Sequence, residues 1–125
     1  MTYQYLQTET GSAIARVTLN NPTKRNALSL ALMRELTACL REVSALPETR
    51  AIVLAANGPA FCAGHDLREM VDRSVSEYRE LFDTCVTLME TIQTIPQPVI
   101  AEVHALATAA GCQLVATCDL VIASE

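Results

Sequence analysis

Three short apolar runs and two long amphipathic stretches constrain the fold of this chain most. The runs are Ala51-Ile52-Val53-Leu54-Ala55-Ala56, Val99 to Val103 and Leu120 to Ala123. The first is continuous, which suits a central strand covered on both faces. Between strand candidates lie two helices. One spans about Ser29 to Leu46, with Leu30, Met33, Leu36, Leu40 and Val43 as its apolar stripe and Pro47 as its stop. The other spans about Val75 to Ile95, with Tyr78, Leu81, Phe82, Cys85, Met89 and Ile92 on one face. Ser74 and Glu77 have the spacing of a capping box, and Pro96 and Pro98 end the helix. Upstream, Tyr3 to Gln7 reads as a weak strand, Gly11-Ser12 as a turn and Ala13 to Leu19 as a second strand, together a hairpin. Ala109 to Thr117 reads as a short helix. This alternation predicts an α/β architecture with right-handed crossovers. The sequence shows no repeat, low-complexity segment or linker. A core strand, Leu120 to Ala123, with no closing helix after it leads us to expect further chain or a partner subunit.

Composition narrows the function classes. A chain of 125 residues is one domain or part of one. A net charge of −5, with nine scattered basic residues, argues against nucleic-acid binding. The charged share of 18% is low, as expected where a subunit or further chain covers some surface. The five cysteines, Cys39, Cys62, Cys85, Cys112 and Cys118, form no Cys-x-x-Cys pair and mostly sit in apolar runs. They read as small buried hydrophobes in a reducing compartment. The opening Met1-Thr2-Tyr3-Gln4-Tyr5 resembles neither a signal nor a transit peptide, so a cytoplasmic location is expected. Glu102, His104, Gln113 and Asp119 interrupt the apolar stretch from Val99 to Ala123, so no membrane span is expected.

Two loops carry the candidate chemistry. Phe61-Cys62-Ala63-Gly64-His65-Asp66-Leu67 follows the first apolar run after the break Asn57-Gly58-Pro59. Val103-His104-Ala105-Leu106-Ala107-Thr108-Ala109-Ala110-Gly111-Cys112-Gln113 follows the second. Small residues there let a ligand approach bare backbone N–H groups, and the start of a helix favours negative charge. Two such groups converging on one oxygen make an oxyanion hole. Asp66 can cap the helical turn Leu67 to Met70. Taken singly, the first loop also fits a plain strand-to-helix turn, and the second a helix packed tightly on a sheet.

Five blocks together carry a specific resemblance. Asn20-Asn21-Pro22-x-Lys24-Arg25-Asn26-Ala27-Leu28, Phe61-Cys62-Ala63-Gly64-x-Asp66-Leu67, Pro98-Val99-Ile100-Ala101, Ala109-Ala110-Gly111-Cys112-Gln113-Leu114 and Cys118-Asp119 resemble the enoyl-CoA hydratase/isomerase (crotonase) superfamily, in family order. The resemblance implies a ClpP-like spiral of ββα units, with residues 1–125 as its N-terminal part, truncated before the C-terminal helices. It implies assembly as a homo-trimer or hexamer. It also implies an acyl-CoA thioester ligand in fatty-acid metabolism, with coenzyme A entering as part of the substrate and no separate cofactor. The family's two oxyanion-hole donors map onto the N–H groups of Ala63 and Ala110. Lys24, Arg25, Ala27, Gly64, His65, Asp66, Leu67 and Gly111 map onto the segments near CoA and the thioester. Where hydratases of the family carry a glutamate, this chain has Gln113. A carboxamide takes up no proton at neutral pH, so efficient hydration is not expected. An enolate could still form, which suits isomerisation or hydrolysis. The alternative is a non-catalytic acyl-CoA-binding or regulatory relative.

The remaining polar candidates carry less. His65 is expected to offer mainly its backbone, and His104 to be a satisfied core histidine. Neither the Cys62, His65 and Asp66 set nor the Cys112, Cys118 and Asp119 set has the spacing of a zinc site. No Gly-x-Ser-x-Gly elbow occurs. Asp119 is expected to fix the loop before the last strand.

Overall fold

The computed structural model describes residues 2–125. Met1, which opens the segment read as lacking a leader, lies outside the described residues. The elements run β1 (Leu6–Glu9), β2 (Ile14–Leu19), α1 (Leu30–Ser44), β3 (Ala51–Ala56), β4 (Ala60–Cys62), α2 (Val75–Thr94), β5 (Val99–Val103), β6 (Leu106–Ala107), α3 (Ala110–Thr117) and β7 (Leu120–Ala123). Short 3₁₀ turns cover Pro22–Lys24 and Leu67–Met70. The order is ββα three times over, then a strand. β1, β2, β3, β5 and β7 form one sheet, parallel throughout except for the β1–β2 hairpin. β4 and β6 form a second, two-stranded parallel sheet. After the first unit, each pair therefore sends one strand to the large sheet and one to the small.

Register explains the core. Ala15 pairs with Ile52 and Ile52 with Val99; Val17 pairs with Leu54 and Leu54 with Ala101. Strand side chains alternate, so these two rows share one face. All six are fully buried, with Leu32, Met33, Leu36 and Leu40 of α1 and Leu88 and Ile92 of α2 in the same cluster. The opposite face carries the Arg16–Glu102 ion pair, and its residue Val53 is only half-buried. The expectation that β3 is covered on both faces holds only in part among the described residues: its second face is half-open at Val53 and closed at Ala55, which is 3% exposed.

The helix ends follow the sequence signals. Ser29 Oγ accepts from Leu32 N at 3.1 Å and caps α1. Ser74 and Glu77 form the reciprocal box that opens α2, at 3.2 and 3.1 Å. The backbone bond from Ser74, with its side-chain bond, holds the Glu77 carboxyl below its ordinary pKa. Asp119 Oδ2 accepts from Val99 N at 2.8 Å, tying the loop before β7 to the start of β5.

Three readings shift. The first strand is Leu6–Glu9, not Tyr3 to Gln7, because the hairpin pairs Leu6 with Leu19. Tyr3 and Tyr5 have strand-like spacing but are tied to α1, through Glu42 and Glu35 respectively. His104 is not in the core. It lies exposed in the bend between β5 and β6, its Nε2 2.7 Å from Gly58 O. Phe82 and Tyr78 fall off the buried stripe of α2, and Leu88 joins it. Four cysteines are buried and unpaired, while Cys112 is exposed. No helix is long and apolar enough to cross a membrane, and no cluster of three or more His, Cys, Asp or Glu among the described residues could hold a metal.

Candidate active site

The loop after β4 and the loop before α3 meet because of two glycines. Gly64 has φ +93°, a conformation that side chains other than glycine rarely adopt. A Cβ there would lie 3.1 Å from Ala109 Cβ and 3.3 Å from Ala110 N, so the loops are already in contact. Gly111 seats α3 on β4: a Cβ would fall 2.3 Å from Cys62 O. Thr108 N donates to that same Cys62 carbonyl at 3.1 Å. Ala109, at φ 52° and ψ −125°, precedes the helix in a strained conformation with no side-chain cap. Ala110 therefore stands at the first position of α3, where helical N–H groups have no intrahelical acceptor.

The backbone of the first loop can be accounted for group by group. Ala63 N donates to Arg25 O at 3.0 Å. Gly64 N donates to the Cys62 thiol, and Gly64 O accepts from Leu28 N at 2.6 Å. His65 pairs with Leu28 in an isolated parallel bridge, and its own N–H has no acceptor among the described residues. The expectation that Ala63 supplies the first donor is therefore corrected. Its N–H is already committed to the neighbouring loop, and the free amide belongs to His65, two residues on. Gly64, at φ +93°, turns the backbone between these two residues, so the amide of Ala63 meets the Arg25 carbonyl and that of His65 does not.

One cleft, of about 320 Å³, gathers the expected contact residues. Lys24, Arg25, Ala27, Ala63, His65, Asp66 and Leu67 all line it, together with Thr23 and Arg68. Lys24 and Arg25 are exposed at its edge and form no ion pair. Asp66 Oδ1 accepts from Arg68 N at 3.1 Å, capping the turn Leu67–Met70 as expected. Gly64 and Gly111 lie behind the cleft as buried packing residues rather than in its wall. Gln113 is exposed one turn along α3 from Ala110, on the same helix face, and its carboxamide makes no hydrogen bond.

Asn26, which the sequence marked only as part of a motif block, and Cys62, read there as a small buried hydrophobe, underlie this wall. Asn26 is fully buried at φ 54°. Its Nδ2 donates to Asn57 O at 2.9 Å, Ala60 O at 3.2 Å and Phe61 O at 3.1 Å, and its Oδ1 accepts from Asn21 N at 2.8 Å. One side chain thus fastens the Lys24–Arg25 loop to β4. The Cys62 thiol donates to Asn26 O at 3.2 Å, and burial pushes its pKa up to about 11. A signal was present: an asparagine after two cationic residues in a turn is a residue type that tolerates positive φ.

The chain is similar to proteins of one family. The model for "enoyl-CoA hydratase/isomerase" matches residues 9–125. A Xenopus laevis relative, "enoyl-CoA hydratase domain-containing protein 3, mitochondrial", is 48% identical over 121 residues, 96% of this chain and 40% of the relative. The crystal structure of human enoyl-coenzyme A hydratase domain-containing protein 3 matches with a TM-score of 0.92 at 40% identity, covering 96% of this chain and 48% of that one. An enoyl-CoA hydratase structure from Mycobacterium smegmatis matches with a TM-score of 0.91 at 46% identity, covering 97% of this chain and 48% of that one. The chain thus spans less than half the length of these relatives, and the spiral of ββα units expected from the sequence is what it shares with them. With the family model matched over nearly the whole chain and the fold to go with it, this protein belongs to the enoyl-CoA hydratase/isomerase (crotonase) family.

Proposed function

We propose that this chain binds an acyl-CoA thioester in the cleft beside His65 and polarises its carbonyl through the N–H groups of His65 and Ala110. The observation that carries the reading is the contact between the two loops at Gly64, with an uncommitted amide on each side. A pair of fixed donors aimed at a developing oxyanion acts in a partly dehydrated site, and removal of one donor typically costs about 3–4 kcal/mol of transition-state stabilisation. Lys24, Arg25 and Arg68 give the cleft an electropositive rim suited to the phosphates of coenzyme A. Gln113 supports a reaction through a thioester enolate, such as isomerisation or hydrolysis, over hydration. It equally supports a second reading, a binding or regulatory protein that keeps the pocket without the acid. Assembly as a homo-trimer or hexamer is part of the same proposal. Titration with short- and long-chain non-hydrolysable acyl-CoA analogues, followed by calorimetry, tests the ligand assignment. Saturable binding that weakens in Lys24→Ala and Arg25→Ala supports it; no binding by either analogue refutes it.

A further inference from the structure

We propose that the His65 imidazole is the proton-carrying group of this cleft, taking the part that Gln113 cannot. The proposal rests on the acyl-CoA reading above and adds a side chain to it. Three observations carry it. First, His65 Nδ1 is buried with no hydrogen-bond partner. Leaving a buried polar atom unpaired typically costs about 1–3 kcal/mol, so such an atom calls for an explanation. The ring is held instead by an edge-on contact with Phe82, its centroid 5.5 Å away at 85°. That contact orients the imidazole and takes up none of its hydrogen-bonding capacity.

Second, each of the other carboxylates around the cleft is tied through one oxygen to a helix start or a cation. Asp66 caps the following turn and faces Arg68 Nε at 3.5 Å. Glu69, in the adjoining hollow, accepts from Leu30 N at 2.8 Å, closing the start of α1. The remaining charged lining residues, Lys24, Arg25 and Arg68, are cations. Third, the imidazole and the free amide belong to the same residue. Nδ1 is joined to the His65 nitrogen through only three carbons, so the two nitrogens lie within about 5 Å. A carbonyl oxygen held by that amide places the adjacent acyl carbon beside the one cleft-lining residue that carries an imidazole.

The step balances without a co-reactant. The C2–H bond of the bound thioester breaks, its proton goes to the imidazole, and its electron pair forms the C1–C2 double bond. The carbonyl π pair moves to the oxygen held by the two amides. Return of the proton to C2 completes an exchange, and its delivery two carbons further along an unsaturated chain completes an isomerisation.

Exchange at C2 of butyryl-CoA in D2O, followed by proton NMR, reads this step directly, with binding measured in parallel by calorimetry. His65→Ala and His65→Gln both keep the main-chain N–H. Loss of a positioned base typically lowers a proton-transfer rate by about a hundredfold or more, and we expect that loss in both variants with butyryl-CoA still bound. Added imidazole is expected to restore part of the rate in His65→Ala and to leave the wild type unchanged. A wild-type chain that binds butyryl-CoA without exchanging C2, or one whose exchange is the same in His65→Gln, overturns the proposal and leaves the acyl-CoA reading standing. A wild-type chain that does not bind butyryl-CoA removes both.

Discussion

Replacing Asn26 by aspartate is the most informative single perturbation of the scaffold beneath the cleft. The two side chains have the same shape, so packing is unchanged. The amide nitrogen, however, meets three carbonyl oxygens at 2.9, 3.2 and 3.1 Å in a site with no solvent exposure. In Asn26→Asp the Oδ1 partner, Asn21 N, is kept while an oxygen faces those three carbonyls. As a carboxylate it is an unpaired buried charge, worth about 3–5 kcal/mol of destabilisation. As a carboxylic acid it donates one bond where the amide had two hydrogens, a loss of about 1–2 kcal/mol. The folded protein therefore favours the protonated form, and the introduced carboxyl has a folded pKa above its unfolded value of about 3.9. With a raised folded pKa, the ionisation penalty is absent below the unfolded pKa. It grows by about 1.4 kcal/mol per pH unit as pH rises, until the folded pKa is passed. Urea unfolding of wild type and Asn26→Asp at pH 4 and pH 7, followed by circular dichroism, is expected to give a difference of about 2 kcal/mol at the lower pH and about 3–5 kcal/mol at the higher. A difference below about 1 kcal/mol at pH 7, or one equal at both pH values, refutes the assignment of Asn26 as donor to the loop carbonyls.

The remaining predictions probe the two loops and the thiols. Gly111→Ala drives a Cβ to 2.3 Å from Cys62 O, so α3 must move off β4; calorimetric melting should show a loss of about 3 kcal/mol, the upper end for overpacking, and acyl-CoA binding should fall with it. Ala109→Gly relieves a strained backbone worth about 1–3 kcal/mol against about 0.5–1 kcal/mol of added chain entropy, so a rise of a few degrees in Tm is expected; a fall would contradict the strain at φ 52°. Gln113→Glu, assayed with crotonyl-CoA in a full-length form, is expected to raise hydration by about a hundredfold or more; no gain in a variant that still binds the ligand contradicts its place as the missing acid/base position. Iodoacetamide at pH 8 should label Cys112 alone, as read by mass spectrometry, because burial raises the pKa of the Cys39 and Cys62 thiols to about 11 and of Cys118 to about 12 and shields Cys85.

The sequence by itself determined the long elements, the helix caps and the family. Each of these rests on local information: the 3.6-residue stripe of α1, the Ser74–Glu77 box, and the unbroken apolar run of β3. The five motif blocks likewise stand in order along the chain, and most of the residues they nominated do line one cleft. Tertiary structure decided what depends on partners distant in sequence. β4 and β6 are three and two residues long, too short to show a period, and exist because Ala60 pairs with Leu106 and Cys62 with Ala107. The triple ββα order became visible only with them. The amide of Ala63 is taken up by a carbonyl 38 positions earlier, at Arg25, while that of His65 has no acceptor among the described residues. No periodicity records that choice, since side chains do not encode which backbone groups a neighbouring segment will take up. The orphaned His65 nitrogen and the Asn26 anchor are of the same kind. Residue type announced their capacity for hydrogen bonding, and only the folded arrangement determined which bonds were made.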